Sequence, residues 1–165
     1  MIRSLPPRVV NLAGFLACAG MMAYALYVQH VLLLEPCPLC VFQRMATIGL
    51  GIVFLLAALS GPRGRGRFVA AAGILLTAGA GLGVAGRHVY LQSLPPDRVP
   101  ACGPGYDYLM EAFPLAEALG KIFTGSGECA EIDWAFLGLS MPAWVAICFT
   151  LLLALGLWNN LRRPA

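Results

Sequence analysis

Four long stretches of this chain are nearly free of charge, and that pattern sets the class of fold before any motif is considered. They cover residues 12–34, 41–59 (broken only by Arg44), 68–86 and 141–158. An α-helix rises about 1.5 Å per residue, so each stretch is long enough to cross about 30 Å of hydrocarbon. Charged residues make up 12% of the chain and apolar ones 59%, whereas soluble domains carry about 25% charged residues. A soluble domain is therefore excluded. The pattern predicts an all-α membrane protein, a four-transmembrane-helix bundle forming one membrane domain over 1–165. Its spans are expected at about 10–34, 41–59, 68–90 and 142–159. A long outer loop, about 91–141, is expected to carry a short interfacial helix.

Basic residues orient the bundle. Arg3 and Arg8 precede the first span, Arg63, Arg65 and Arg67 fill the loop between the second and third, and Arg162 and Arg163 follow the fourth. By the positive-inside rule these segments face the cytoplasm, so both termini are expected inside. All eight acidic residues fall in the two opposite segments. In a bacterium those segments would lie in the periplasm, a compartment where disulfides persist. Phe15-Leu16-Ala17-Cys18-Ala19 after Arg3 and Arg8 faintly resembles a lipoprotein signal, but apolar sequence continues past any cut, so a retained helix is expected.

Six cysteines divide by location. Cys18 and Cys148 fall inside spans and read as packing residues. Cys37, Cys40, Cys102 and Cys129 fall on the outer side. Cys37-Pro38-Leu39-Cys40 sits where helix two must start, since Pro36 and Pro38 stop helix one. A thiol pair there can close a small disulfide, and the positive end of the helix favours a thiolate. Cys102 and Cys129 enclose residues 103–128 and stand beside glycines. A purely structural bridge over that loop would stabilise by about 3 to 4 kcal/mol. Spacing alone favours redox exchange over a structural bridge or a metal site and leaves all three open. Metal binding is the least supported, because no second C-x-x-C is present and His30 and His88 are the only histidines.

Arg44 follows Cys40 by one helical turn and shares its face. A cation there suits a thiolate or the oxygen of a reduced cofactor, and a side chain reaching for headgroups is the plain alternative. His88, near the end of helix three, can donate a hydrogen bond or a proton. Between glycine-rich corners at Cys102–Gly105 and Thr124–Gly127, the stretch 108–123 places Leu109, Phe113, Ala116, Leu119, Ile122 and Phe123 near helical spacing, interrupted by Pro114, with Tyr106, Tyr108 and Trp134 suited to the headgroup zone.

Cys37-Pro38-Leu39-Cys40-Val41-Phe42-Gln43-Arg44, the loop pair Cys102 and Cys129, and the run from Ser126 through Trp134 to Pro142 together resemble the disulfide bond formation protein B (DsbB) family over the whole chain. The resemblance implies a quinone-dependent protein-disulfide oxidoreductase of the bacterial inner membrane. It implies ubiquinone or menaquinone as cofactor, no metal, and a DsbA-like periplasmic thioredoxin-fold partner; no nucleic acid is expected. Carried over by position, Cys102 accepts the partner's thiolate and releases Cys129, and Cys129 attacks Cys37. Cys40 is then left facing the quinone, with Arg44 as the quinone-side cation and His88 in the quinone pocket. Vitamin K epoxide reductase-like enzymes resemble this chain in bundle and motif but place loop cysteines before a late C-x-x-C. A non-catalytic membrane scaffold with a stapled loop is the alternative of another class.

Overall fold

The computed structural model describes residues 6–99, 129–132 and 134–162. Four long helices dominate: α1 (Pro7–His30), α2 (Pro38–Ser60), α3 (Gly66–Gln92) and α4 (Met141–Leu161). Each is long and apolar enough to span a membrane, so this is a multi-pass membrane protein. Two helix starts coincide with prolines, which lack the N–H that a first turn leaves unpaired: Pro7 opens α1 and Pro38 opens α2. Gly61 ends α2 in the left-handed conformation at φ 56°, where glycine carries no Cβ penalty.

The end of α1 departs from the span expected to reach residue 34. Helix geometry stops at His30, and Leu33 adopts φ 56°. The Leu34 N–H then donates to the Val28 carbonyl at 3.3 Å, the wrap-back bond that closes a helix. Apolarity marks where the chain can sit in lipid; it does not mark where the helix ends. Residues 31–36 leave the helix so that Cys37 is brought back over the bundle.

Outside the helices, a one-turn 3-10 helix spans Pro96–Arg98. A small hairpin pairs β1 (Ala135–Phe136) with β2 (Leu139–Ser140), Ala135 opposite Ser140. Leu137 (φ 51°) and Gly138 (φ 79°) form its turn, both at the positive φ that tight hairpins require. The interfacial helix expected near 108–123, together with Tyr106 and Tyr108, lies outside the described residues.

The interior is built where small residues let helices approach. Cys18, Leu50, Phe54, Ile74, Ala78, Phe149 and Leu152 form the central apolar cluster. A Cβ on Gly14 would come within 2.8 Å of the Phe54 ring, and one on Gly81 would overlap the Phe149 ring. Such close approach is how helices gain dispersion contacts in lipid, where burial from water supplies no force. Gly81→Val is therefore expected to destabilise the bundle by about 1–3 kcal/mol through overpacking, read as a lower denaturant midpoint in detergent. An unshifted midpoint would show that Phe149 can move aside.

At the end of the bundle opposite the cysteines, Asn11, Asn159 and Asn160 are buried together. Asn160 and Asn159 both donate to Asn11 Oδ1, at 3.0 and 3.1 Å, and Asn11 Nδ2 donates to Asn160 Oδ1 at 3.2 Å. These bonds tie α1 to α4. Asn159 and Asn160 also donate to the Pro7 and Gly156 carbonyls, whereas Asn159 Oδ1 is buried without a hydrogen-bond partner; polar groups buried between helices need such bonds.

Candidate active site

Two prolines place the first thiol pair. Pro36 ends the turn and Cys37 is the residue capping α2, with Pro38 the first in its helix. Cys40 falls in the first turn, and the two Sγ atoms lie 3.2 Å apart as free thiols. Leu39 between them is fully buried against Val84 and Leu91 of α3. That contact pins the start of α2 to the end of α3 and turns the cysteines toward His88.

His88 is buried, with Nε2 3.8 Å from Cys37 Sγ. Its other nitrogen, Nδ1, is 3.2 Å from the amide nitrogen of Gln43. A partner on one ring nitrogen fixes the ring and leaves the other aimed at the sulfur.

The chain returns to the same place with Cys129. This residue is fully buried in a cluster with Leu39, Val84 and Leu91, against which Cys37, Phe42 and Leu94 pack. The donor atoms of Cys37, His88 and Cys129 all lie within 4.8 Å of one another. Gln92, the last residue of α3, holds the returning segment. Its Nε2 donates to the Glu131 carbonyl at 3.3 Å, and its Oε1 accepts from Ser140 Oγ at 2.6 Å. One side chain thereby fixes the segment after Cys129 and the entry to α4.

Beside the thiols opens a cavity of about 970 Å³, at the upper end of the range typical of small-molecule sites. Met21, Met22 and Val145 give it apolar walls, while Cys37, Cys40, Gln43, Arg44 and His88 supply polar groups. Arg44 donates to Gln29 Oε1 and, at 3.2 Å, to the Ala25 carbonyl. Its guanidinium is thus held by α1 at the cavity wall. Trp134 also lines the cavity and meets Tyr24 edge-on at 6.0 Å and Phe136 at 6.2 Å, forming an aromatic rim.

A family model described as disulfide bond formation protein DsbB matches residues 7–159. This chain belongs to the DsbB family. The disulfide bond formation protein B of Marinobacter nauticus is 55% identical over 149 residues, covering 90% of this chain and 89% of that protein. The proteins of the same name from Nitrosococcus oceani and Hahella chejuensis are 50% and 48% identical, over 94% and 97% of this chain and 92% and 97% of their own lengths. A DsbB-family protein is a disulfide-forming oxidoreductase that works with a disulfide-exchange partner.

Of the residues the sequence singles out, the structure gathers Cys37, Cys40, Arg44, His88 and Cys129 at one end of the bundle. Cys102 lies outside the described residues. Cys18 sits apart in the central cluster. His88, expected beside the quinone, lines the cavity and also contacts Cys37 directly. Sequence alone does not single out Gln29 or Gln92, and Gln43 stands out only as part of the motif. Gln29 does carry a signal, as a polar side chain within an apolar run.

Proposed function

We propose that this DsbB-family protein reoxidises a periplasmic DsbA-type dithiol and passes the electrons to a membrane quinone. The observation that carries the reading is the placement of Cys129 within 4.8 Å of Cys37, which lines the cavity. Exchange needs a thiolate beside the sulfur it attacks, and Cys129 is held there by apolar packing and the Gln92 clamp.

In this scheme the partner's thiolate attacks Cys102 of a Cys102–Cys129 disulfide and releases Cys129 as thiolate. The partner's second thiol then attacks its own sulfur in the mixed disulfide, leaving oxidised partner and a free Cys102 thiol. Cys129 attacks Cys37 of the Cys37–Cys40 disulfide, forming a Cys37–Cys129 bond and freeing Cys40. Attack by Cys102 on Cys129 restores the loop disulfide and leaves Cys37 and Cys40 reduced. A quinone, when bound, accepts the two electrons and two protons that this dithiol gives up as it closes again.

The residues present fit such a group. The apolar walls suit a lipid-soluble ring and tail, and Arg44 offers a cation with donors for a carbonyl oxygen. His88, at hydrogen-bond range of Cys37, can hold or move a proton at that sulfur. By the basic-residue pattern, the cysteine end faces the periplasm of a bacterial inner membrane.

The test mixes purified protein, a reduced DsbA-type partner and ubiquinone or menaquinone, and follows quinol by absorbance. One quinol is expected per partner disulfide formed. Partner oxidation without quinol, or no oxidation at all, would end this reading and leave a stapled scaffold.

A further inference from the structure

We propose that Cys37, His88 and Cys129 form a binding site for a thiophilic divalent cation of the zinc class when the cysteines are reduced. Three elements distant in sequence converge there: the cap of α2, the last turns of α3 and the segment after the long loop. Tetrahedral coordination at metal–sulfur distances of about 2.3 Å separates neighbouring donors by about 3.5–3.8 Å. Nε2 of His88 and Sγ of Cys37 are already 3.8 Å apart, and the full set lies within 4.8 Å. Cys40, 3.2 Å from Cys37, lies outside this set of three donors.

Charge and surroundings favour the same ion. Two thiols lose their protons as the cation binds, so two thiolates, one neutral imidazole and one divalent cation make a neutral complex. Neutrality suits a place where His88 and Cys129 are buried and a bare charge is costly. Gln43 supplies the outer partner that metal-bound histidines use. Turned over, its amide accepts from Nδ1–H with its oxygen and leaves the Nε2 lone pair to the metal. Sulfur and imidazole donors select zinc-class ions over magnesium or calcium.

The site itself does not depend on how electrons leave the protein. Its consequence does rest on the proposed relay: a bound cation holds Cys37 and Cys129 as thiolates and stops exchange between them, so quinol formation should halt. Binding and turnover are therefore read separately.

The probe is Cd²⁺, titrated into the full-length protein after reduction with a phosphine and its removal. One equivalent is expected to produce a thiolate-to-metal absorption band, with a cadmium NMR shift typical of mixed sulfur and nitrogen coordination. Cys129→Ser and His88→Gln should each weaken binding by on the order of a hundredfold, since even outer partners are worth 10–100-fold. Cys18→Ala with Cys148→Ala should leave it unchanged. Absence of the band, an all-sulfur shift in the unmutated protein, or wild-type affinity in either single variant would overturn the site. The NMR shift needs no mutation, so a variant that fails to fold does not protect the proposal.

Discussion

Cys129→Ser is expected to stop oxidation of a protein dithiol while the cavity still takes up quinone. Serine is nearly isosteric with cysteine, so packing against Leu39, Val84 and Leu91 is preserved. What disappears is the thiol that the returning segment holds within 4.8 Å of the Cys37 sulfur. The hydroxyl is far too weakly acidic to displace a sulfur, so the fall in turnover should be at least about a thousandfold. Cys102→Ser should stop turnover at the preceding exchange. Wild-type turnover in either variant would contradict the order of transfer. Small dithiols that reach Cys37 directly should still be oxidised, which separates a broken relay from a broken protein.

Arg44→Ala is expected to raise the quinone KM by about ten- to hundredfold, because hydrogen bonds to a charged group contribute about 1.5–3 kcal/mol. The effect on folding should be smaller. Arg44 bonds Gln29 and the Ala25 carbonyl, and both line a cavity in which water can replace the lost donors. Arg44→Lys keeps the charge but loses the planar fork, so it should fall between the two. Unchanged saturation kinetics in Arg44→Ala would reduce this residue to an anchor for α1.

Much of the architecture is legible in the sequence because lipid is an unforgiving solvent. A span must satisfy its backbone internally and stay apolar for its whole length, so the four runs announce four helices. Cys37, Cys40 and Arg44 are legible for a related reason: they lie within two turns of one helix, where spacing fixes geometry. Contacts across helices are not legible. Cys37 and His88 are 51 positions apart, and contacts between α2 and α3, Leu39 on Val84 and Leu91 and Gln43 on His88, bring them together. Gln92 gives no hint in the sequence that it joins Glu131 to Ser140. The end of α1 is hidden as well, because apolar side chains continue from Val31 through Leu34 while the backbone at Leu33 turns the chain.

The asparagine cluster makes the two ends of the bundle mechanically unequal. Parting α1 from α4 there would break the three bonds that Asn11 makes with Asn159 and Asn160, an interhelical hydrogen bond in lipid being worth about 0.6–2 kcal/mol. At the other end the same two helices face each other across the hollow that Met21, Met22 and Val145 line. The α1–α4 contact is thus tied by side-chain hydrogen bonds at the amide end and hollow at the thiol end. The hollow and the amide cluster thereby stand at opposite ends of the bundle.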